Sequence, residues 1–176
     1  MAANSPQSRS DWASLDWKEA QLAVADLLNK HGFVTLEEKR FENHKRADVI
    51  IKKDLGERVI IGVIEVKCYQ KITRGLELSA MEQAVRYLKQ QYGISKTNHR
   101  WRNKQIEFIV AVIYTKDYPV SFLHHTIDNY SKILPESLIS SHKITLMSST
   151  PNTFIDKLEL ISPVARQTKI NDFFEK

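Results

Sequence analysis

Cysteine is almost absent from the sequence: Cys68 is the only one among 176 residues. A single cysteine can form neither an intramolecular disulfide nor a cysteine-rich zinc site, and it fits a reducing compartment. No apolar run reaches the length of a membrane span. Residues 1–11 lack the apolar stretch of a secretory signal. We therefore expect an intracellular protein that does not enter a membrane.

Several signatures of common function classes are also missing. The sequence has no Walker loop, no zinc-finger spacing, no helix-turn-helix signature and no internal repeat. Its histidines, including the neighbouring His124 and His125, lack metal-ligand spacing. We expect these histidines to be surface or core residues.

The charge balance, by contrast, is clearly basic. The chain has 26 Lys and Arg against 21 Asp and Glu, which gives a formal net charge of +5. A basic excess indicates a polyanionic partner, with nucleic acid first and an acidic membrane surface second. The hydrophobic content of 42% is sufficient for a buried core.

The hydrophobic pattern predicts one domain over residues 12–162, with a disordered tail at 1–11 and a flexible tail at 163–176. Helices are predicted over residues 16–31, 79–92, 121–133 and 150–161. Strands are predicted over residues 47–52, 58–68, 106–115 and 143–147, the first two as a hairpin. This order is typical of an α/β fold, in which helices flank a mixed central sheet.

The second arm of the predicted hairpin carries charged residues among apolar ones. Glu65 and Lys67 are two apart in a strand, so they share a face, while Ile64 and Val66 point to the opposite side. Asp48 lies in the first arm and would place a second carboxylate beside Glu65. These carboxylates and the Val66 carbonyl form a hard oxygen site suited to Mg²⁺ or Mn²⁺. A surface ion pair at a solvent-exposed edge of the sheet is the alternative explanation for the same residues.

The sequence resembles the PD-(D/E)XK nuclease superfamily over about residues 15–115. The resemblance rests on the helix end Leu27-Leu28-Asn29-Lys30-His31-Gly32-Phe33, on Ala47-Asp48 and on Glu65-Val66-Lys67. Its Holliday-junction-resolvase and RecB-type branches are the most similar. The resemblance implies a restriction-endonuclease-like fold and hydrolysis of DNA phosphodiesters. Asp48 and Glu65 would then ligate the metal, and Lys67 would serve the attacking water.

Two positions depart from the superfamily pattern. Ala47 replaces the usual proline, which shapes the backbone and ligates nothing. Many members carry a glutamate on the first helix, where this chain aligns Gln21, and the nearest acid is Glu19. Gln21 borders the apolar stripe of the helix and Glu19 points away from it. The third acidic group is therefore open at this stage.

Gln83 and Tyr87 are four residues apart and share one face of the helix after the lysine. They match the Q-x-x-x-Y motif of RecB-type nucleases, in which both side chains line the site and contact the DNA strand. An ordinary helix surface with a half-buried tyrosine is the alternative explanation.

Basic residues precede and follow the predicted hairpin, and a further basic group surrounds a tryptophan. Cations contact phosphates without reading sequence, and Trp101 could stack on an unpaired base. The predicted DNA contacts are Lys45, Arg46, Lys71, Arg74, Arg86, Arg100, Trp101, Arg102 and Lys104.

The last residues carry two adjacent phenylalanines on a polar tail. Gln167, Ile170, Phe173 and Phe174 match the Q-x-x-h-x-x-a-a pattern of the PCNA-interacting peptide box. The last three lie at i, i+3 and i+4, which is one face of a short helix. A terminal helix packed on the domain itself is the alternative. The resemblance implies binding to the sliding clamp PCNA, hence an archaeal cytoplasm or a eukaryotic nucleus.

Together these patterns predict a Mg²⁺-dependent DNA nuclease acting in replication or repair on branched, flapped or single-stranded DNA. Within this class, a homodimeric Holliday-junction resolvase is the first rival. Outside it, the rival is a DNA-binding clamp adaptor that keeps the nuclease fold with weak or no cleavage.

Overall fold

A five-stranded sheet forms the centre of the protein, in the order β1-β2-β3-β4-β5. The computed structural model describes residues 6–40, 46–119 and 125–162. The helices are α1 (Arg9–Ser14), α2 (Trp17–Lys30), α3 (Arg74–Lys96), α4 (Glu136–Ser141) and α5 (Pro151–Ile161). The strands are β1 (Val34–Arg40), β2 (Arg46–Asp54), β3 (Arg58–Lys67), β4 (Gln105–Tyr114) and β5 (Lys143–Ser149). Short 3₁₀ turns occupy His99–Trp101 and Ile127–Tyr130.

The sheet is mixed, as the sequence predicts. β1, β2 and β3 pair antiparallel, while β3, β4 and β5 pair parallel. The parallel strands end together at Lys67, Tyr114 and Ser149, and we call this the carboxyl end of the sheet. They begin at Arg58, Gln105 and Lys143, and we call this the amino end.

The three long helices run opposite to the parallel strands. α2 lies beside Asp48 near its start, where Gln21 contacts the Asp48 backbone, and α3 follows directly from the end of β3. α5 follows β5 and finishes at the amino end, where the Ile161 carbonyl accepts a hydrogen bond from Arg58. The N-termini of α2, α3 and α5 therefore all lie at the carboxyl end.

Two apolar layers cover the sheet and confirm the α/β prediction. One layer lies between the sheet and α3 and includes Val63, Met81 and Phe108, and we call this side the α3 face. The other layer packs α1, α2 and α5 on the sheet and includes Trp12 and Phe154, and we call it the α2/α5 face. Among the described residues, no helix is both long and apolar enough to cross a bilayer.

The N-terminal region differs from the prediction in two places. Residues 9–11, expected to be disordered, form the first turn of α1, because Ser8 caps the helix and Trp12 is buried. β1 was not predicted because Val34–Arg40 is polar and lies at the edge of the sheet. The helix predicted over 16–31 is confirmed as α2, with Asp16 as its N-cap.

Two further elements differ from the prediction. α3 begins at Arg74 rather than at Ser79, because the Thr73 side chain accepts the Leu76 N–H and caps the helix earlier. The helix predicted over 121–133 is wrong for its described part, which forms only the 3₁₀ turn Ile127–Tyr130. Its first residues, 121–124, lie outside the described residues.

Candidate active site

β2 and β3 separate at the carboxyl end, and two carboxylates occupy the opening. Their pairing stops at Val49 and Ile64. One residue further, the Asp48 N–H donates to Glu65 Oε1 at 3.2 Å, and the Val66 N–H donates to Asp48 Oδ2 at 2.8 Å. Each side chain thus bonds the backbone of the opposite strand in place of the interrupted ladder. The two acids predicted from the hairpin are brought together.

Lys67 extends this pair toward α3. Its Nζ donates to Glu65 Oε2 at 3.0 Å and to Gln83 Oε1 at 3.1 Å. Gln83 Nε2 in turn donates to the Tyr87 hydroxyl at 3.1 Å. A continuous hydrogen-bonded chain therefore runs from Asp48 through Glu65 and Lys67 to the Q-x-x-x-Y pair.

Strand alternation explains why these side chains meet. Ile64 and Val66 pack into the α2/α5 face, which leaves Glu65 and Lys67 on the α3 face. Gln83 and Tyr87 lie on successive turns of α3, which covers that face. Along these two elements the local periodicities alone orient all four side chains.

Burial and like charge shape the ionisation of the two acids. Glu65 is 1% exposed, and burial together with the neighbouring Asp48 charge raises its pKa to about 7. Burial also raises the pKa of Asp48, although the Val66 N–H and Lys67 oppose it. For Lys67, burial acts to lower the pKa, but the nearby Glu65 and Asp48 outweigh it and the pKa is raised. Lys67 is therefore a persistent cation.

The oxygen atoms at the opening fit a small divalent cation. A strand residue directs its N–H and C=O to the same side, so the Val66 carbonyl faces the opening that its N–H faces. Asp48, Glu65 and this carbonyl supply hard oxygen donors, and Mg²⁺ typically takes one or two carboxylates plus phosphates and waters. In the described part of the chain, no group of three His, Cys, Asp or Glu residues could hold a metal. The donor set thus suits an ion that shares its coordination with substrate.

α2, the first helix that the sequence predicts, contributes an amide to the site and no acid. Gln21 is buried, and its Nε2 donates to the Asp48 carbonyl at 3.1 Å, which fixes the backbone beneath the carboxylate. The alternative residue, Glu19, instead accepts the Asp16 N–H at 2.9 Å in the capping box of α2. Glu19 is therefore occupied at the helix terminus, and the expectation of a site role for it is not supported.

One acid near the site was not predicted. Glu38 on β1 has a positive φ of 50° and lies between the residues that pair with Val49 and Ala47, so it is opposite Asp48. Its charge raises the pKa of Asp48, and its side chain contacts Lys18 at 2.7 Å. A left-handed backbone conformation is uncommon for glutamate and costs free energy. Strained conformations of this kind cluster at functional sites. In the sequence, the only indication of an acid at this position is the adjacent pair Glu37 and Glu38.

A surface depression of about 350 Å³ adjoins the end of the hydrogen-bonded chain. Its lining includes Gln83, Tyr87, Glu82 and Arg86, and the last two form an ion pair at 2.6 Å. Gln83 is therefore partly accessible from outside the protein, whereas Tyr87 is 4% exposed and largely buried.

The predicted cations divide between the two ends of the sheet. Arg46, Lys71 and Arg74 are exposed at the carboxyl end, at the start of β2 and between β3 and α3. Lys45 lies outside the described residues, as do the clamp-box residues Gln167, Ile170, Phe173 and Phe174.

The remaining cluster lies at the amino end. Arg100, Trp101, Arg102 and Lys104 precede β4, whose first residue Gln105 pairs with Arg58 at the start of β3. The ten-residue β3 separates this cluster from Lys67 by about 30 Å. Sequence proximity to the hairpin therefore did not translate into proximity to the site, because α3 carries the chain back along the full sheet.

Trp101 requires a correction. Its side chain is 8% exposed, and the Lys52 ammonium lies 5.0 Å from the ring centroid. It belongs to the apolar layer on the α3 face, so its ring is not available to stack on an unpaired base. Lys104 is also engaged, because its Nζ lies 2.6 Å from Asp54 Oδ2.

Comparison with protein families agrees with this geometry. No curated protein and no solved structure matches the chain. Residues 12–113 match the family model Mrr_cat, described as a restriction endonuclease, and this range contains Asp48, Glu65, Lys67, Gln83 and Tyr87. The match covers more than half of the chain and supports a nuclease that acts on DNA. The protein belongs to the Mrr_cat restriction endonuclease family.

Proposed function

We propose that this protein is a metal-dependent deoxyribonuclease that hydrolyses phosphodiester bonds at the carboxyl end of its sheet. The observation that carries the proposal is the hydrogen-bonded chain from Asp48 through Glu65 and Lys67 to Gln83. Placing two acids and a lysine in one partly buried opening costs free energy. That cost is explained when the opening holds a cation and a phosphate.

Asp48, Glu65 and the Val66 carbonyl would hold Mg²⁺ or Mn²⁺. When bound, such an ion stabilises negative charge on the phosphate and lowers the pKa of a coordinated water. The role of Lys67 follows from its ionisation: with a raised pKa it is protonated, so it donates hydrogen bonds to the attacking water and the phosphate oxygens.

Gln83 and Tyr87 have positioning roles in this proposal. Gln83 Oε1 accepts from Lys67 and its Nε2 donates to Tyr87, which restricts the lysine to one orientation. Both side chains also line the depression beside the site, where a DNA strand would contact them. Gln21 supports the site from beneath, through the Asp48 carbonyl.

The test compares cleavage by wild type, Asp48→Asn and Lys67→Ala on labelled DNA with Mg²⁺ or Mn²⁺. We expect each substitution to reduce the cleavage rate by about a thousandfold or more, because each removes a ligand or a charge from the reacting phosphate. Asp54→Asn is the matched control, since Asp54 lies on the same strand at the amino end. Its rate should stay within about twofold of wild type.

One observation favours the second candidate, a DNA-binding adaptor with weak or no cleavage. α2 places Gln21 where many related nucleases carry an acid, and among the described residues no third acid forms a metal-holding group with Asp48 and Glu65. Wild type that binds DNA but cuts none of the substrates would support the adaptor. Equal cleavage by wild type and Asp48→Asn would contradict the catalytic assignment.

We propose branched, flapped or single-stranded DNA as the substrate, on the resemblance to the resolvase and RecB-type branches. The product pattern on a panel of end-labelled junctions, flaps, duplexes and single strands tests this choice. Symmetric cuts on a four-way junction, together with a dimeric mass in solution, would identify the resolvase alternative. Cuts confined to single-stranded ends would favour the RecB-type alternative.

We further propose that the C-terminal residues recruit the enzyme to PCNA. The proposal rests on the pattern of Gln167, Ile170, Phe173 and Phe174. Phe173→Ala with Phe174→Ala should abolish clamp binding and leave cleavage of free DNA intact. Asn171→Ala with Asp172→Ala is the control within the same segment and should retain binding. Retained binding by the phenylalanine variant would contradict the proposal.

A further inference from the structure

A second cavity lies at the carboxyl end, outside the site described above. It has a volume of about 190 Å³ and is enclosed by α1, the residues that follow β4 and the first turn of α5. One wall is continuous with the catalytic strand, since the Thr115 N–H donates to the Lys67 carbonyl at 3.1 Å. A ligand in this cavity would therefore be held in a fixed relation to Lys67.

Trp12 lines this cavity and carries a buried hydrogen-bond donor. Its side chain is 1% exposed and forms part of the wall, and its Nε1–H has no acceptor among the described residues. A buried donor without an acceptor costs about 1–3 kcal/mol, and native proteins rarely retain one without a reason. An indole N–H can only donate, so it requires a ligand that accepts hydrogen bonds.

The start of α5 adds further donors to the wall of this cavity. No side chain caps this eleven-residue helix, because the Thr150 hydroxyl donates to Thr153 Oγ1 instead of accepting a backbone N–H. Pro151 has no N–H, and the N–H groups of Asn152 and Thr153 have no acceptor in the described part of the chain. Free amides at a helix N-terminus favour an anion.

The charges at the cavity have the same preference. Arg9 and Lys116 line it, and the Arg9 guanidinium lies 4.1 Å from the centroid of the Tyr118 ring, which orients it. Asp117 is the one acid among the described lining residues. Its two oxygens accept the Ile72 and Tyr118 N–H groups at 2.8 and 2.9 Å, and these bonds, with the nearby Arg9 and Lys71 charges, lower its pKa. Asp117 therefore stays an anion and offsets part of the positive charge.

We propose that this cavity binds a phosphate group of a nucleic acid strand, held by Trp12 Nε1–H, the first amides of α5, Arg9 and Lys116. The donors and charges identify an oxyanion, and its identification as a DNA phosphate rests on the proposed nuclease function. The phosphate would anchor the strand beside the catalytic opening. It can come from the internal backbone or from a phosphorylated end.

The first experiment titrates the ¹⁵N-labelled full chain with inorganic phosphate and follows the indole N–H signals. Trp12→Phe identifies the Trp12 signal, which we expect to shift in a saturable manner. Arg9→Gln should weaken the binding about tenfold, as expected for loss of a charge-assisted hydrogen bond. Lys132→Gln makes the same charge change at an exposed residue outside the cavity and should change binding less than twofold. An unmoved Trp12 signal, or equal effects of both variants, would overturn the proposal.

The second experiment measures DNA affinity of Arg9→Gln and Lys132→Gln on strands with phosphorylated or hydroxyl ends. A terminal phosphate site predicts that Arg9→Gln weakens only the phosphorylated strand, whereas an internal site predicts an equal loss on both. If Arg9→Gln weakens binding to neither strand more than Lys132→Gln does, the assignment to DNA is overturned. Neither the phosphate titration nor the affinity measurement requires cleavage. A wild type that cleaves no DNA would therefore contradict the proposed function without deciding whether this cavity binds phosphate.

Discussion

The carboxyl and amino ends of the sheet carry similar residues in opposite electrostatic surroundings. Arg46, Lys71 and Arg74 lie at the carboxyl end, where three long helices begin and their positive dipole ends add to the side-chain charges. Arg100 and Arg102 lie at the amino end, where α2, α3 and α5 finish. The negative helix ends there oppose the binding of a phosphate.

Neighbouring side chains strengthen the contrast. At the amino end Lys104 is paired with Asp54, and Trp101 is part of the core. At the carboxyl end the opened β2–β3 ladder holds the half-buried Asp48 and the buried Glu65, and the hydrogen-bonded chain ends at the partly exposed Gln83. The comparison teaches that strand direction decides which of two basic clusters can serve the site. In sheets of this kind, ligands bind outside the carboxyl ends of the parallel strands.

The largest expected effect concerns stability at the amino end. Trp101→Ala should lower the free energy of unfolding by about 3–5 kcal/mol, because it removes a buried aromatic side chain from the α3 face. Urea unfolding measures this loss. Trp17→Ala is the matched control: Trp17 is 62% exposed, and its removal should change stability by about 0.5 kcal/mol or less.

DNA affinity provides the second readout for Trp101→Ala. Under conditions in which the variant is folded, its affinity for single-stranded DNA should equal that of wild type. A large loss of affinity without a loss of stability would show that Trp101 stacks on a base and that the amino end contacts DNA.

The two ends also differ in how well the sequence predicts them. Asp48, Glu65 and Lys67 were predicted together because strand alternation and a hairpin turn act over a few residues, whereas Gln83 and Tyr87 were predicted from their resemblance to the Q-x-x-x-Y motif. Alternation alone places Glu65 and Lys67 on one face, and a tight turn alone brings Asp48 opposite Glu65. A site built from such local rules is visible before the fold is known.

The position of the basic cluster depends on a long-range property. Residues 97–104 follow α3, and the Thr73 cap starts this helix six residues earlier than Ser79 would. The resulting 23-residue helix carries the chain past the whole length of β3. Glu38 and the strand β1 were missed for a related reason, since a polar edge strand is defined by its partner rather than by its own pattern.

The next effect concerns metal binding at the carboxyl end. Burial raises the pKa of Glu65 to about 7, so near neutral pH the carboxyl must release a proton before it can hold a cation. Affinity for Mn²⁺ should rise about tenfold per pH unit between pH 5 and 7 and flatten above it. Calorimetric titration in buffers of different ionisation enthalpy measures both affinity and proton release.

Two variants separate the carboxyl end from the amino end in this titration. Glu65→Gln should bind weakly and without the pH dependence, whereas Asp54→Asn should retain both affinity and slope. The raised Glu65 pKa affects folding in the opposite direction to metal binding. The stability of the metal-free protein should fall as the pH rises from about 4.5 to 7, because in this range the folded state binds one more proton than the unfolded state. A metal affinity that is constant from pH 5 to 7 would contradict the raised pKa.

The smallest effect tests the comparison most directly, because it removes two exposed cations from each end. Lys71→Ala with Arg74→Ala should weaken DNA binding about tenfold and reduce the salt dependence of log K by about 2, as expected for two phosphate contacts. Arg100→Ala with Arg102→Ala causes the same change in net charge and should weaken binding less than about twofold. Fluorescence anisotropy at several salt concentrations, with Asp48→Asn in every variant to prevent cleavage, gives both numbers. If the two double variants lose affinity equally, DNA contacts both ends of the sheet, and net charge rather than strand direction governs binding.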